Sequence, residues 1–171
     1  MDLLFTRRLF LEPLLVTDAD PILALRSDPR VNQYLDRTPM TTKEEAVAFV
    51  EKIRKGYRAA GVKYWAIRQE KNGDLLGTVC LWNFSEDQLS AELGYELHPD
   101  FQGKGYMRET IREVIRYAFE NLGIRKLSAF THKQNNPSIR VLVENGFKGP
   151  VDRPVNSTHD DFIFILEQPS S

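Results

Sequence analysis

The chain has little cysteine. Cys80 stands alone, so no internal disulfide framework can form and a cysteine-rich zinc site is excluded. It has no excess of either charge. Twenty-three basic and 24 acidic side chains leave a formal net charge of -1. That balance argues against a general nucleic-acid coat or a membrane-surface protein, which need a basic excess. No apolar stretch approaches the ~20 residues that span a bilayer. The opening from Met1 to Arg8 places its apolar patch before its arginines, the reverse of a secretory signal. There is no internal repeat and no low-complexity linker. The histidines His98, His132 and His159 do not fall at a ligand spacing such as His-x3-His, so no metal site is expected. A cytoplasmic location is the expectation.

What remains is an ordinary globular composition, 42% apolar and 27% charged over 171 residues. It predicts a single domain over 1–167 and a short tail over 168–171. Leu9, Leu11, Leu14 and Leu15 read as a strand broken at Pro13. Asp18, Asp20 and Pro21 signal a helix start before Ile22, Leu23 and Leu25. Thr41 or Thr42 can cap a second helix with Ala46, Phe49, Val50, Ile53 and Tyr57 at helical spacing, ended by Gly61. The period then changes. Tyr64–Ile67, Leu75–Phe84 and Ala91–Leu97 read as an antiparallel meander, turning at Asn72-Gly73 and at Glu86-Asp87. A long helix follows, with Met107, Ile111, Val114, Ile115, Ala118, Phe119 and Leu122 on one stripe and Gly123 as its stop. Lys126–Thr131 is a strand. Pro137 opens another helix, which runs to Asn145-Gly146. Phe162–Leu166 is a final, well-buried strand. The order predicts an α/β (α+β) fold, a mixed sheet with helices on both faces.

The sharpest local feature is Gln102-Gly103-Lys104-Gly105-Tyr106-Met107, between a strand and the long helix. Two glycines permit close backbone approach to a ligand, and free N–H groups at a helix start favour an anion. Lys104 and Arg108 add positive charge. The alternative is a glycine-rich turn that merely starts a helix. Two nucleotide motifs are excluded. A P-loop needs Ser or Thr after its lysine, where Gly105 stands, and a dinucleotide fingerprint needs glycine where Arg108 stands.

A second feature follows about 30 residues on: Asn135-Asn136-Pro137-Ser138, then Asn145-Gly146-Phe147. The pair resembles the GNAT acyl-CoA-dependent N-acetyltransferases. Gln102 and Gly105 match the Gln/Arg-x-x-Gly-x-Gly/Ala signature, whose last position falls on Met107. Asn135, Ser138, Gly146 and Phe147 match the Asn-x-x-Ser…Gly-Phe segment. The opening Thr6-Arg7-Arg8-Leu9-x-Leu11 resembles the Rim-type ribosomal-protein N-terminal acetyltransferases. One position departs: Met107 stands where most members have Ala or Gly, and it either packs or crowds the pyrophosphate side.

The resemblance implies a GNAT fold of about seven strands and acetyl-CoA as co-substrate, with no metal. It implies that Gln102, Gly103, Lys104, Gly105, Tyr106 and Met107 hold the pyrophosphate. Glu96, Leu97 and His98 would end a strand splayed by a bulge and pair with the pantetheine arm, and Asn135 would line its groove. Many members place a general-acid Tyr four residues before the Gly-Phe pair, where this chain has Leu142. Ser138 is then the candidate acid, hydrogen-bonded to the developing thiolate; the alternative is a hydroxyl satisfying backbone donors at a helix start. Glu92 is the candidate base, on a strand face with Gly94 and Glu96 and opposite Leu93, Tyr95 and Leu97. Its alternative is a solvated strand residue, and Glu96 is its competitor. Trp82, Asn83 and Tyr95 are the candidate acceptor residues; for these aromatics, as for Trp65 and Tyr34, packing is the alternative. Cys80 reads as a small core residue and not a nucleophile.

The acceptor is an amine, either a protein N-terminus or a small amine such as a polyamine, an amino acid or an antibiotic. A non-catalytic acyl-CoA sensor is a third reading. No nucleic acid or membrane partner is expected, and the chain would act as a monomer or homodimer. An α-amine has a pKa of ≈ 7.7–8.0 and a lysine ≈ 10.4, so roughly a tenth of the former is neutral at pH 7 against well under 0.1% of the latter. A site with weak base catalysis leans toward the α-amine.

Overall fold

The computed structural model describes residues 2–57, 61–151 and 160–169. Their order is β1 (Leu4–Phe5), β2 (Phe10–Pro13), α1 (Ala19–Ser27), α2 (Pro29–Asn32), α3 (Lys43–Gly56), β3 (Lys63–Arg68), β4 (Gly77–Trp82), β5 (Ser90–Leu97), α4 (Tyr106–Glu120), β6 (Lys126–His132), α5 (Asn136–Glu144), β7 (Lys148–Val151) and β8 (Asp161–Glu167). The strands form one sheet in the order β1-β2-β3-β4-β5-β6-β8-β7. Every pairing is antiparallel except β5 with β6. The crossover between those two is α4, as a parallel pair requires.

Local chemistry explains the helices. Thr42 caps α3: its hydroxyl accepts from the Glu45 N–H, while the Glu45 carboxylate accepts from the Thr42 N–H. The stripe on α4 buries Met107, Ile111, Val114 and Ala118 against the sheet. Asn135 caps α5, with Pro137 in its first turn.

The sheet separates two cores. On one face α4 and α5 pack over Trp65, Ile67, Val79, Leu81, Leu93, Leu127 and Phe164. On the other, α1 and α3 pack over Tyr64, Ala66 and Cys80 of β3 and β4. No β6 or β8 side chain belongs to this second cluster. Among the described residues no helix is long and apolar enough to cross a membrane.

Several boundaries differ from the sequence reading. Among the described residues the sheet has eight strands, where about seven were expected. β1 is too short to carry a pattern. β7 contains Gly149 and Pro150, which suit only an edge strand. α2 is a single short turn of helix that no periodicity could announce. α3 stops at Gly56 with Tyr57 as its cap, not at Gly61. β2 does end at Pro13, where the sequence reading breaks the strand, because proline cannot donate to the ladder. β4 is shorter than Leu75–Phe84 at both ends. β8 buries only Phe164 fully; Phe162 and Leu166 on the same face are half-buried against the same core. In the tail, the Gln168 N–H donates to the Arg125 carbonyl (2.8 Å); residues 170–171 lie outside the described residues.

Candidate active site

β5 and β6 pair only from Ser90↔Lys126 to Leu93↔Ala129. Beyond that, β5 runs on to Leu97 and β6 to His132 as separate strands. The expected bulge is absent from β4–β5, whose register is unbroken from Gly77↔Leu97 to Trp82↔Glu92. The strands part because each keeps its other neighbour. β6 stays paired with β8 as far as His132↔Asp161, while β5 stays with β4. The β5 edge from Gly94 to Leu97 thus faces a gap, where a ligand can bond to the backbone as an added strand would.

The glycine loop closes one end of this gap. Gly103 and Gly105 adopt φ of 74° and 79°, a region closed to most side chains. A Cβ at Gly103 would meet nothing within 4 Å, so the cradle is open. The loop is tied on two sides. Gln102 Nε2 donates to the Leu97 carbonyl (2.9 Å), and Arg8 Nη1 donates to the Lys104 carbonyl (3.1 Å). Arg8 Nε also donates to Glu109 Oε2 (2.8 Å), and its guanidinium lies 4.6 Å from the centre of the Tyr106 ring. Thr6 donates its hydroxyl proton to the same Glu109 carboxylate. Burial pushes that carboxyl up, but the bonds from Thr6 and Arg8 outweigh it and hold the group below its ordinary value. Met107 points into the core and packs, so it does not crowd the cradle. His98 turns the chain from β5 toward the loop: its N–H donates to the Leu76 carbonyl (2.8 Å) and its Nδ1 accepts from the Asp100 N–H (3.3 Å).

The gap is bridged on the α4–α5 face. Tyr95 Oη and Ser138 Oγ lie 2.7 Å apart. The backbone N–H of Ser138 is satisfied by Asn135 Oδ1 (3.3 Å), so the helix start does not need the Ser138 hydroxyl. Burial pushes the Tyr95 phenol well above its ordinary range, and it stays protonated.

Glu92 stands on the opposite face with Asn83, whose Nδ2 donates to Glu92 Oε1 (2.6 Å). Trp82 is half exposed beside Glu92 on β4, and its indole leans over Gly94. A Cβ at Gly94 would lie 2.9 Å from Cys80 Sγ. Burial pushes the Cys80 thiol up to about 12, which keeps it protonated and inert near neutrality. Glu96 is not free. Arg26 Nη1 (3.3 Å) and Arg37 Nη2 (2.7 Å) both pair with its buried carboxylate. That leaves only its backbone for a ligand in the gap. Tyr34 stacks on His132 at the same rim, with ring centres 5.4 Å apart, while Trp65 is fully buried.

The loop, Asn135, Ser138, Tyr95 and the end of β5 thus converge from one face, and Glu92, Asn83 and Trp82 from the other. Sequence reasoning missed Arg8, Glu109, Arg26 and Arg37 as partners. Arg8 was visible inside the Thr6–Leu9 segment, but its partner lies 101 positions away. Arg26 and Arg37 look like ordinary charges on a polar segment. Among the described residues no three His, Cys, Asp or Glu side chains gather as a metal requires; His159 lies outside the described residues.

Residues 8–148 match the family model of the acetyltransferase (GNAT) domain, and the chain belongs to that family of acetyl-CoA-dependent N-acetyltransferases. It is 32% identical over 149 residues to the N-acetyltransferase YjcK of Bacillus subtilis, covering 82% of this chain and 81% of that one. It is 28% identical over 148 residues to the N-acetyltransferase p20 of Bacillus licheniformis, covering 86% and 83%. Among solved structures, the RimL ribosomal-protein α-N-acetyltransferase with coenzyme A superposes with a TM-score of 0.81 at 20% identity, covering 97% and 98%. The Vibrio cholerae spermidine N-acetyltransferase with CoA and spermine superposes at 0.77 and 22% identity, covering 94% and 96%. At those identities the superpositions establish the fold, and the fold does not choose the acceptor.

Proposed function

We propose that this enzyme acetylates the N-terminal α-amine of a peptide or protein. The observation that carries the reading is the charge on the acceptor face of β5. Glu96 is held by Arg26 and Arg37, and among the described residues Glu92 has no ion-pair partner. A polyamine brings several ammonium groups and needs several free carboxylates. An α-amine brings one positive charge and is partly neutral at pH 7. One carboxylate, steadied by Asn83, suits it.

The bound acetyl-CoA supplies a thioester carbonyl. The loop from Gln102 to Met107 fits its pyrophosphate: two left-handed glycines and the start of α4 turn backbone N–H groups toward an open cradle. The free edge of β5 from Gly94 to Leu97 fits the pantetheine arm, with Asn135 across the gap. Glu92 takes the proton of the arriving ammonium, directly or through a water, so that a neutral amine bonds to the acetyl carbon; the proton the nitrogen sheds after bonding leaves with the sulfur as CoA thiol. Ser138 donates its hydroxyl hydrogen bond toward the sulfur as the carbon–sulfur bond breaks. Tyr95 donates to Ser138 Oγ and so aims that hydroxyl outward.

The test is release of free CoA thiol from acetyl-CoA with short peptides bearing free α-amines, against spermidine, amino acids and aminoglycosides. The expected result is release with peptides. Release with spermidine or an aminoglycoside alone overturns the acceptor assignment.

A further inference from the structure

Beyond Glu92 the acceptor face continues into a trough of about 460 Å³, bordered by Asn83, Glu92, Lys126 and Ser128 on its polar side and by Val151, Ile163 and Ile165 on its apolar side. The register explains why these residues meet. Trp82 pairs with Glu92, Glu92 with Ser128, and Ser128 with Ile165, so one row crosses β4, β5, β6 and β8 on a single face. Ile163 and Val151 pair with each other in the next row. The volume falls in the range of small-ligand pockets, ~300–1,000 Å³.

We propose that this trough is the subsite for the first side chain of the acceptor and that it selects aliphatic residues there. The inference rests on the assignment of an α-amine acceptor. Three features commit the trough to that occupant. Its inner end carries the one carboxylate that would meet the amine, so whatever fills it is attached close to that amine. Neighbouring strands stand ~4.8 Å apart, so Glu92 and Ile165 are separated by ~10 Å at the backbone. Their own side chains take up part of this, and what remains is the reach of an amine with one short branched side chain. The far wall is aliphatic among the described residues, and the cation of the lining, Lys126, stands on β6 two residues from Ser128. An acidic first residue would stand near Glu92 and would take Lys126 as its partner, so Asp tests whether the wall or the cation selects. A glycine would leave the wall unfilled.

The experiment uses purified full-length enzyme with two matched acceptor series. One is a set of peptides identical except for a first residue of Gly, Ser, Asp, Val or Leu. The other is the corresponding amino-acid amides. The expected result is a kcat/KM for Val and Leu at least about 10-fold above Gly in the peptide series, with the same ranking among the amides; Asp used better than Val would assign the selection to Lys126 and overturn the aliphatic preference. Ile165→Lys should narrow or invert the Val-to-Asp ratio. Ser128→Leu, which fills the trough from β6, should lower Val and Leu while sparing Gly, and this holds the argument if the first variant folds poorly. Aliphatic preference among the amides with no turnover of peptides would support the trough and overturn the peptide assignment. Equal use of all five residues, or a ranking that neither variant moves, overturns the trough. Turnover of spermidine alone overturns both.

Discussion

Tyr95 on β5 and Ser138 on α5 share a 2.7 Å hydrogen bond across the gap that opens where β6 leaves β5. The position where many relatives keep a tyrosine is Leu142 here, fully buried. A phenol therefore reaches the same neighbourhood from the sheet. Ser138→Ala should lower kcat by about 10²-fold, the smaller end of general acid catalysis, with KM for acetyl-CoA little changed. Tyr95→Phe should lower kcat by about 10-fold, because Ser138 loses its orientation but keeps its hydroxyl. The double variant should be no slower than Ser138→Ala, since the two act as a unit. Multiplicative losses would show that the hydroxyls act separately.

The pairing of Arg8 with Glu109 fastens the amino-terminal segment to the start of α4, and through Arg8 to the Lys104 carbonyl. Arg8→Ala should raise KM for acetyl-CoA several-fold and leave kcat nearly unchanged, with Arg8→Lys intermediate because a point charge cannot serve all three contacts. The Glu109 carboxyl lies below its ordinary value of 4.5 in the folded protein. Its anchoring is therefore complete above that value and lost as pH falls through the lower, folded one. CoA binding measured by titration calorimetry should show an acid limb below about pH 4.5 that Glu109→Gln lacks. An unchanged limb in the variant would assign it to another group.

Much of this arrangement could be read from residue order, and the limits have physical causes. The α4 stripe, the Thr42 cap and the Ala91–Leu97 alternation are local patterns, and the structure reproduces them. The alternation also placed Glu92 and Tyr95 on opposite faces. The parting of β5 from β6 was not legible as such, because it depends on which neighbour each strand keeps. The Arg26–Glu96–Arg37 cluster was hidden for the same reason: its members come from α1, the segment after α2, and β5. β1 and β7 are edge strands whose pairing, not pattern, defines them.

Glu92 should matter in proportion to how much of the amine arrives protonated. With an α-amine of pKa ≈ 7.7–8.0, base assistance is most useful at or below neutrality. Glu92→Gln should lower kcat/KM by about 10²-fold at pH 7 and by much less at pH 9, where the acceptor is already neutral. Asn83→Ala, which removes the 2.6 Å donor, should give a smaller loss with the same pH trend. A loss for Glu92→Gln that is constant from pH 6.5 to pH 9.5 would mean that the carboxylate orients the acceptor and does not take its proton.

Arg68 is buried between two carboxylates away from the chemistry. Its Nη2 donates to Asp18 Oδ1 (2.8 Å) and Oδ2 (2.6 Å), its Nε lies 3.2 Å from Glu12 Oε2, and its Nη1 donates to the Gly73 carbonyl (2.6 Å). The carboxylates also satisfy backbone: Asp18 Oδ2 accepts from the Leu15 N–H and Glu12 Oε2 from the Asn72 N–H. The cluster thus ties β2 and the turn before α1 to the β3–β4 hairpin. All three side chains are almost wholly shielded from water, so removing the cation strands two buried negative charges. Arg68→Met should cost about 3–5 kcal/mol in urea unfolding, despite its similar stem, because the loss is electrostatic and not one of packing. Adding Glu12→Gln and Asp18→Asn to Arg68→Met should recover a large part of that cost while preserving the backbone bonds. KM for acetyl-CoA on the folded fraction should not move in either variant. If Arg68→Met alone is as stable as the parent, the ion cluster adds nothing to the fold beyond the space it fills.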